Sequence, residues 1–472
     1  MTETNTPALQ GNVPSDPYAL DESKVREPPT SFFESLKYLG PGFILSASIV
    51  GSGELIATTI VGAKAGFILM WFIIFSCIVK VAVQLQFGKH AITSGESTMA
   101  SLNTLPGPRF GLANWSIWLW LTLMLIKMLQ LGGIVGGVVQ AIEQFSPGLE
   151  SGWTHYAITY GLAISVSLLV FKGYYVLIEK ASLVMIGGFT LFTFASIIAL
   201  QKTEFAITGS NVVSGLVPSL PSDAAILFVA MGAFGITGVG GDEIMAYNYW
   251  LIEKGYAAYT GPKNDSPEWA ARAKGWIRVM YWDALLSMVA YTVMTVMFYL
   301  LGAAVLNRMG VVPESGDLIS QLGEMYTNSL GPWARNLFLI GAIVVLFSTL
   351  FSALAAWSRL FSDAFGRIGL INFANTTSRK KSIALCAWTM PVIWATLFLT
   401  LKSPALMVFL GGIATVLILL MVVYAAMHFR YKRSDERLRP STAFDFALVL
   451  SVIAIVIVAG LSAYKAVEKL AG

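Results

Sequence analysis

Apolar stretches about twenty residues long, separated by short polar segments, repeat along almost the whole chain. A helix needs roughly 20 residues to cross the hydrocarbon core of a bilayer. On that measure the pattern predicts about eleven spans, near 39–64, 67–87, 115–142, 154–171, 174–201, 223–252, 277–304, 332–361, 383–401, 404–429 and 443–465. These runs are much longer than the ~9–11 residues of a barrel strand, so the expected class is an all-α integral membrane protein. Two of the runs are interrupted. "GSGELIATT" (51–59) places two glycines, a serine and Glu54 inside the first, and the sixth carries glycines at 232, 235, 238, 240 and 241 before Asp242 and Glu243. Paired broken helices at corresponding positions of two halves mark the centre of an inverted-repeat transporter. The expectation is therefore a 5+5 inverted repeat, with one half at about 38–201 and the other at about 222–430. Helices 1 and 6 are expected to unwind near 51–53 and 235–241, and one extra helix follows at about 443–465.

Composition supports the membrane assignment. Of the 472 residues 56% are hydrophobic and only 12% charged, with a mean hydropathy of +0.69, against about 25% charged residues in soluble domains. Cys77 and Cys386 both sit in apolar runs and read as buried or lipid-facing thiols with no disulfide framework. Residues 1–37 are polar and rich in proline and acidic groups, without the basic start and apolar stretch of a signal peptide. They are expected to form a flexible cytoplasmic tail ahead of a transmembrane domain at 38–472.

Basic residues set the orientation. Lys24, Arg26 and Lys37, the run from Lys254 to Arg278, and "RYKRSDERLR" fall on one side, whereas "EQFSPGLESGW" on the other has no Lys or Arg. The expected topology is a multi-pass protein of the cell (inner or plasma) membrane, with the N-terminus cytoplasmic and the C-terminus outside.

A charge near the bilayer centre costs roughly 2.5–3.5 kcal/mol on the insertion scale, so something must offset Glu54. A bound cation is the leading candidate. Where a helix unwinds, its carbonyls lose their intrahelical partners and can coordinate an ion, with adjacent carboxylates supplying charge. The candidate cation site comprises Gly51, Ser52, Glu54, Asp242, Glu243 and Met245. Glu54, Asp242 and Met245 are the candidate metal ligands, the methionine as a softer thioether donor. Blander roles stand beside these. Glu54 can cap the second half-helix. Asp242 and Glu243 can cap theirs or pair with an internal lysine, and Lys80 and Lys127 lie within spans where they can snorkel or act as counter-ions. Met245 can simply fill the core. His90, His155 and His428 are scattered and form no metal cluster. HExxH, GxSxG and Walker motifs are absent from the sequence, which argues against an enzyme or an ATP-driven pump. No cofactor and no nucleic-acid partner is implied.

The interrupted segments resemble the Nramp family of divalent-metal transporters. "LGPGFILSASIVGSGELIATTIVGAKAGF" is similar to that family's first span, which begins GPGF, carries a DPGN break and ends in a Gly-Ala-x-x-Gly turn. "LMWFIIFSCIVKVAVQLQFGKHAITSGESTMASL" is similar to the second span. "GDEIMAYNYWL" resembles the sixth-span GATVMPHNLYL, with Gly241, Met245, Asn248 and Leu251 matching. The resemblance is good over about 38–101 and 241–251. It implies a LeuT-type fold and transport of manganese, iron and related ions, usually in symport with protons, with a magnesium branch also known. The chain departs from the pattern at the ligands. Gly51 and Glu54 stand where the family has aspartate and asparagine, Ser52 replaces the proline, and Asp242 replaces the alanine whose carbonyl binds metal. Ala246 and Tyr247 replace the Pro-His pair, so the histidine associated with proton movement is absent; Tyr247 and Asn248 are the candidates for a proton or gating role.

Together these features point to a secondary active transporter for a divalent cation of the Mn, Fe or Mg class, working by alternating access in the lipid bilayer, with protons as the candidate second ion. The alternative is a transporter of the same fold for a small organic or anionic substrate, with a cation or proton at Glu54.

Overall fold

The computed structural model describes residues 16–471 apart from 146–147, 150–151, 172–174 and 314–316; the side chains of 52, 175–183, 185–186 and 463–471 are also outside the description. Among the described residues nine helices are long and apolar enough to cross a membrane. These are span 2 (Met70–Ser94), span 3 (Trp115–Glu143), span 4 (Trp153–Phe171), span 6 (Ala224–Lys254), span 7 (Pro267–Met309), span 8 (Ala334–Arg367), span 9 (Thr376–Leu401), span 10 (Pro404–Arg433) and span 11 (Thr442–Ser462). Span 1 is a bent pair, Pro41–Ile49 and Gly53–Ala65, and span 5 is the helix Tyr175–Leu200. The ends follow local chemistry. Asn114 caps span 3 by accepting from Ser116 N–H, and Asn375 caps span 9 by accepting from Ser378 N–H. Pro404 occupies the first turn of span 10, where its missing N–H is no loss.

Span 1 lies at the centre, packed against spans 6, 7 and 8, while span 3 runs along spans 8, 9 and 10. The sixth span breaks as expected: one helix ends at Ile236, the next begins at Gly241, and the link crosses Gly238 at φ +66°. The first does not unwind. Val50–Thr58 stays wound as a π-helix, and the two halves meet at 42°. A wider turn of this kind keeps backbone hydrogen bonding while re-aiming the side chains. Packing explains why the coil stays closed. A Cβ on Gly53 would lie 2.4 Å from the Ile236 carbonyl oxygen, so the two spans touch through backbone at the place where span 6 ends its first helix.

From Asp16 onward the segment expected to be a flexible tail is packed across one end of the bundle. Asp16 pairs with Arg379 at 2.7 Å, and the Tyr18 hydroxyl donates to Glu253 at 2.7 Å. Trp276 Nε1 donates to Arg26 O at 3.0 Å and Arg278 to Pro29 O at 2.7 Å. Spans 6, 7 and 9 are thus tied by one strap.

Candidate transport site

Four elements meet at the break in span 6. Gly238 adopts the left-handed conformation that glycine tolerates without a Cβ penalty, and its N–H points to Glu54 Oε1 at 3.1 Å. Thr295 of span 7 places its hydroxyl 2.7 Å from the same oxygen. Glu54 is fully buried, and its other oxygen, Oε2, has no hydrogen-bond partner among the described residues. The Thr58 hydroxyl bonds back to the Glu54 carbonyl at 2.5 Å, which steadies the π-helical turn.

The carbonyls that end the first half of span 6 are taken by a lysine. Lys80 Nζ donates to Phe234 O at 2.6 Å and to Thr237 O at 2.5 Å. A second lysine serves the other half. Lys127 of span 3 forms a buried ion pair with Asp242 and lies 3.8 Å from Glu243. Trp357 Nε1 of span 8 donates to the remaining Asp242 oxygen at 2.8 Å. Lys127 therefore acts as an internal counter-ion, whereas Lys80 meets carbonyl oxygens rather than a carboxylate. Glu243 Oε2 has no hydrogen-bond partner among the described residues.

Beside Asp242 and Glu243 lies a small cavity of about 10 Å³ between spans 1, 6 and 8, with Ser48, Trp250, Ser352 and Trp357 among its walls. The expected site residues distribute unevenly around it. Asp242 and Glu243 line it; Glu54 does not, and lies instead at the span 6 break. Gly51 faces Thr349 of span 8, and the Ser52 side chain is outside the described residues. Met245 is buried in the core rather than on the cavity wall, and its carbonyl accepts from Thr98 at 2.7 Å. Tyr247 donates to Asp283 at 2.9 Å. Asn248 is buried, with neither side-chain amide atom hydrogen-bonded among the described residues. No group of three or more His, Cys, Asp or Glu side chains arranged to hold a metal occurs among the described residues.

Sequence reasoning missed Thr295, Trp357 and Asp283. Asp283 caps the start of span 1, accepting from Gly40 N–H at 2.8 Å and Gly42 N–H at 2.6 Å. It carried a usable signal, an isolated carboxylate inside an apolar run, the same criterion that drew attention to Glu54.

The family model described as "Nramp: Natural resistance-associated macrophage protein-like" matches residues 42–468. The chain belongs to the Nramp family. A divalent metal cation transporter MntH of Caldanaerobacter subterraneus is 24% identical over 65% of this chain and 67% of that protein. An uncharacterized protein of Pasteurella multocida is 24% identical over 72% of this chain and 73% of its own. Among solved structures, a mutant of the Eremococcus coleocola manganese transporter superposes with a TM-score of 0.66 at 16% identity, covering 94% of this chain and 90% of that one. MhsT in complex with L-phenylalanine gives a TM-score of 0.56 at 15% identity, over 93% and 100% of the two chains. At such identities the likeness speaks of fold. This Nramp-family chain has the LeuT-type membrane fold.

Proposed function

We propose that this Nramp-family protein is a secondary transporter that carries a divalent metal cation by alternating access, with Glu54 and Glu243 as the carboxylates that receive the ion. The observation that carries this reading is the buried carboxylate oxygen Glu54 Oε2, left without a hydrogen-bond partner among the described residues, together with Glu243 Oε2, which likewise has no hydrogen bond and only the Lys127 ammonium at 3.8 Å. Buried polar atoms are nearly always satisfied, so such an oxygen at a helix break calls for a ligand. Asp242 is already neutralised by Lys127 and contributes shape and field. Met245 belongs to the packing beneath the site. Oxygen donors favour a hard ion of the Mg, Mn or Fe class over a soft one. The relatives named as metal transporters agree with this reading. The proposed setting is the plasma membrane, with the N-terminus cytoplasmic and the C-terminus outside.

The test is uptake into liposomes holding the purified protein, comparing Mn²⁺, Mg²⁺ and an amino-acid panel, with a pH-sensitive dye inside to read whether protons accompany the substrate. Glu54→Gln keeps the shape and removes the charge; little saturable cation uptake is expected from a variant that still folds. Unchanged affinity and rate in Glu54→Gln would refute the reading. One observation favours a small organic substrate instead: the cavity presents two tryptophans, Trp250 and Trp357, and one of its two carboxylates is already paired. Saturable uptake from the amino-acid panel, with none of either metal, would establish that alternative.

A further inference from the structure

We propose that Lys80 is a built-in monovalent cation: its ammonium group occupies a carbonyl-lined position at the span 6 break that a free Na⁺ or K⁺ would otherwise take, and so frees the protein from needing such an ion there. The proposal holds whichever substrate the neighbouring cavity accepts. Lys80 sits at the joint between the two helices of span 2, Met70–Val79 and Val81–Ser94, and is fully buried. Lysines near a membrane surface extend their stems towards water; this one turns inward. Its Nζ meets Phe234 O at 2.6 Å and Thr237 O at 2.5 Å. The Ser76 hydroxyl, one turn earlier on the same span, lies 3.2 Å and 3.4 Å from those two oxygens. The Phe234 ring centroid is 4.9 Å from Nζ.

Two carbonyls converge on one positive charge, and the Ser76 hydroxyl that meets the same two oxygens adds a third oxygen to the set; carbonyls and hydroxyls are the kind of donor that holds an alkali ion. The location adds a field. The first half of span 6 ends at Ile236, so its last carbonyls lack intrahelical partners and carry the negative end of the helix dipole. The next amide along, Gly238 N–H, is committed to Glu54. A fully desolvated ammonium is expensive to bury unless it is paired and hydrogen-bonded, and these oxygens provide that compensation. Tethering then replaces the reversible binding of an ion with a side chain that is always present.

The experiment measures thermal unfolding of the purified full-length protein in choline chloride, NaCl and KCl at equal ionic strength. Wild type is expected to unfold at the same temperature in all three. Lys80→Ala empties the position but keeps the oxygens. Its midpoint is expected to fall in choline and to rise again, saturably, with Na⁺ or K⁺, as binding to the native state alone requires. Lys80→Ser, which leaves similar room and adds a hydroxyl, is the second variant, with the same expectation should the alanine form not fold. A purely structural lysine would be replaced by no ion. A folded variant with one midpoint in all three salts would overturn the proposal, as would failure of both variants to fold in every salt. Saturable stabilisation of wild type by Na⁺ or K⁺ would overturn it too.

Discussion

Replacing Lys127 by methionine removes one partner from a fully desolvated ion pair. Lys127 and Asp242 lie 115 positions apart in sequence and are both buried, so bulk water does not take over the role of the ammonium. Asp242 would keep the Trp357 N–H at 2.8 Å but no cation to balance its charge among the described residues. Breaking a buried pair from one side costs about 3–5 kcal/mol, which is roughly two to four powers of ten in the unfolding equilibrium. Removing both charges, as in Lys127→Met with Asp242→Leu, is expected to recover most of that loss, because an apolar pair of similar volume is often neutral or better. A second consequence separates the metal reading from simple destabilisation. In Lys127→Met the adjacent Asp242 and Glu243 both lose their internal counter-charge, so Mg²⁺ or Mn²⁺ should stabilise the variant more than wild type. A ligand at a hundred times its dissociation constant contributes about 2.7 kcal/mol. The assay is thermal unfolding of the purified full-length protein with and without each ion. A single variant as stable as wild type, or a double variant no more stable than the single, would refute the reasoning.

Asp283→Ala should leave the Gly40 and Gly42 amides without their acceptor and cost about 1–3 kcal/mol, with Tyr247→Phe costing less; if the two effects simply add in the double variant, the bond between the two side chains contributes nothing. Glu96, in the loop after span 2, bonds Arg433 at 2.8 Å and 2.9 Å and His90 at 3.3 Å. Burial pushes its carboxyl upward, but His90 and Arg433 outweigh that and bring it from its ordinary 4.5 down to about 2. A lowered native value means stability that is present above 4.5 and lost as pH falls towards 2. Melting temperatures at pH 7, 5 and 3 should therefore fall more steeply for wild type than for Glu96→Gln, and parallel curves would count against the contact.

The long-range contacts were the part hidden in the sequence. The placement of the membrane-length helices was legible because each is a self-contained apolar run, nine of them and one bent pair among the described residues, and the sixth-span break was legible because glycines cluster beside two carboxylates. Lys80 and Lys127 stood out as charges inside spans, yet nothing local to either names its partner. Span 1 illustrates the limit most clearly. Gly-Ser-Gly is compatible with an unwound loop or with a widened helix, and the choice rests on Gly53 meeting the Ile236 carbonyl of another span. The segment from Asp16 to Pro29 looked like tail because its composition is polar; its partners Glu253, Trp276, Arg278 and Arg379 lie in spans 6, 7 and 9 or beside them.

That strap also fixes an order of events during synthesis. Asp16 emerges from the ribosome well before the arginine it grips, which lies 363 positions later, and Tyr18 must wait for Glu253, 235 positions on. Until span 9 has been made and set beside span 6, the segment has no complete seat. Domains made earlier in the chain ordinarily fold first; here a segment made before its partners closes after them. Docking of the strap is thus a record that spans 6, 7 and 9 have reached their places, and protection of residues 16–30 from protease would report their assembly rather than the mere presence of the chain.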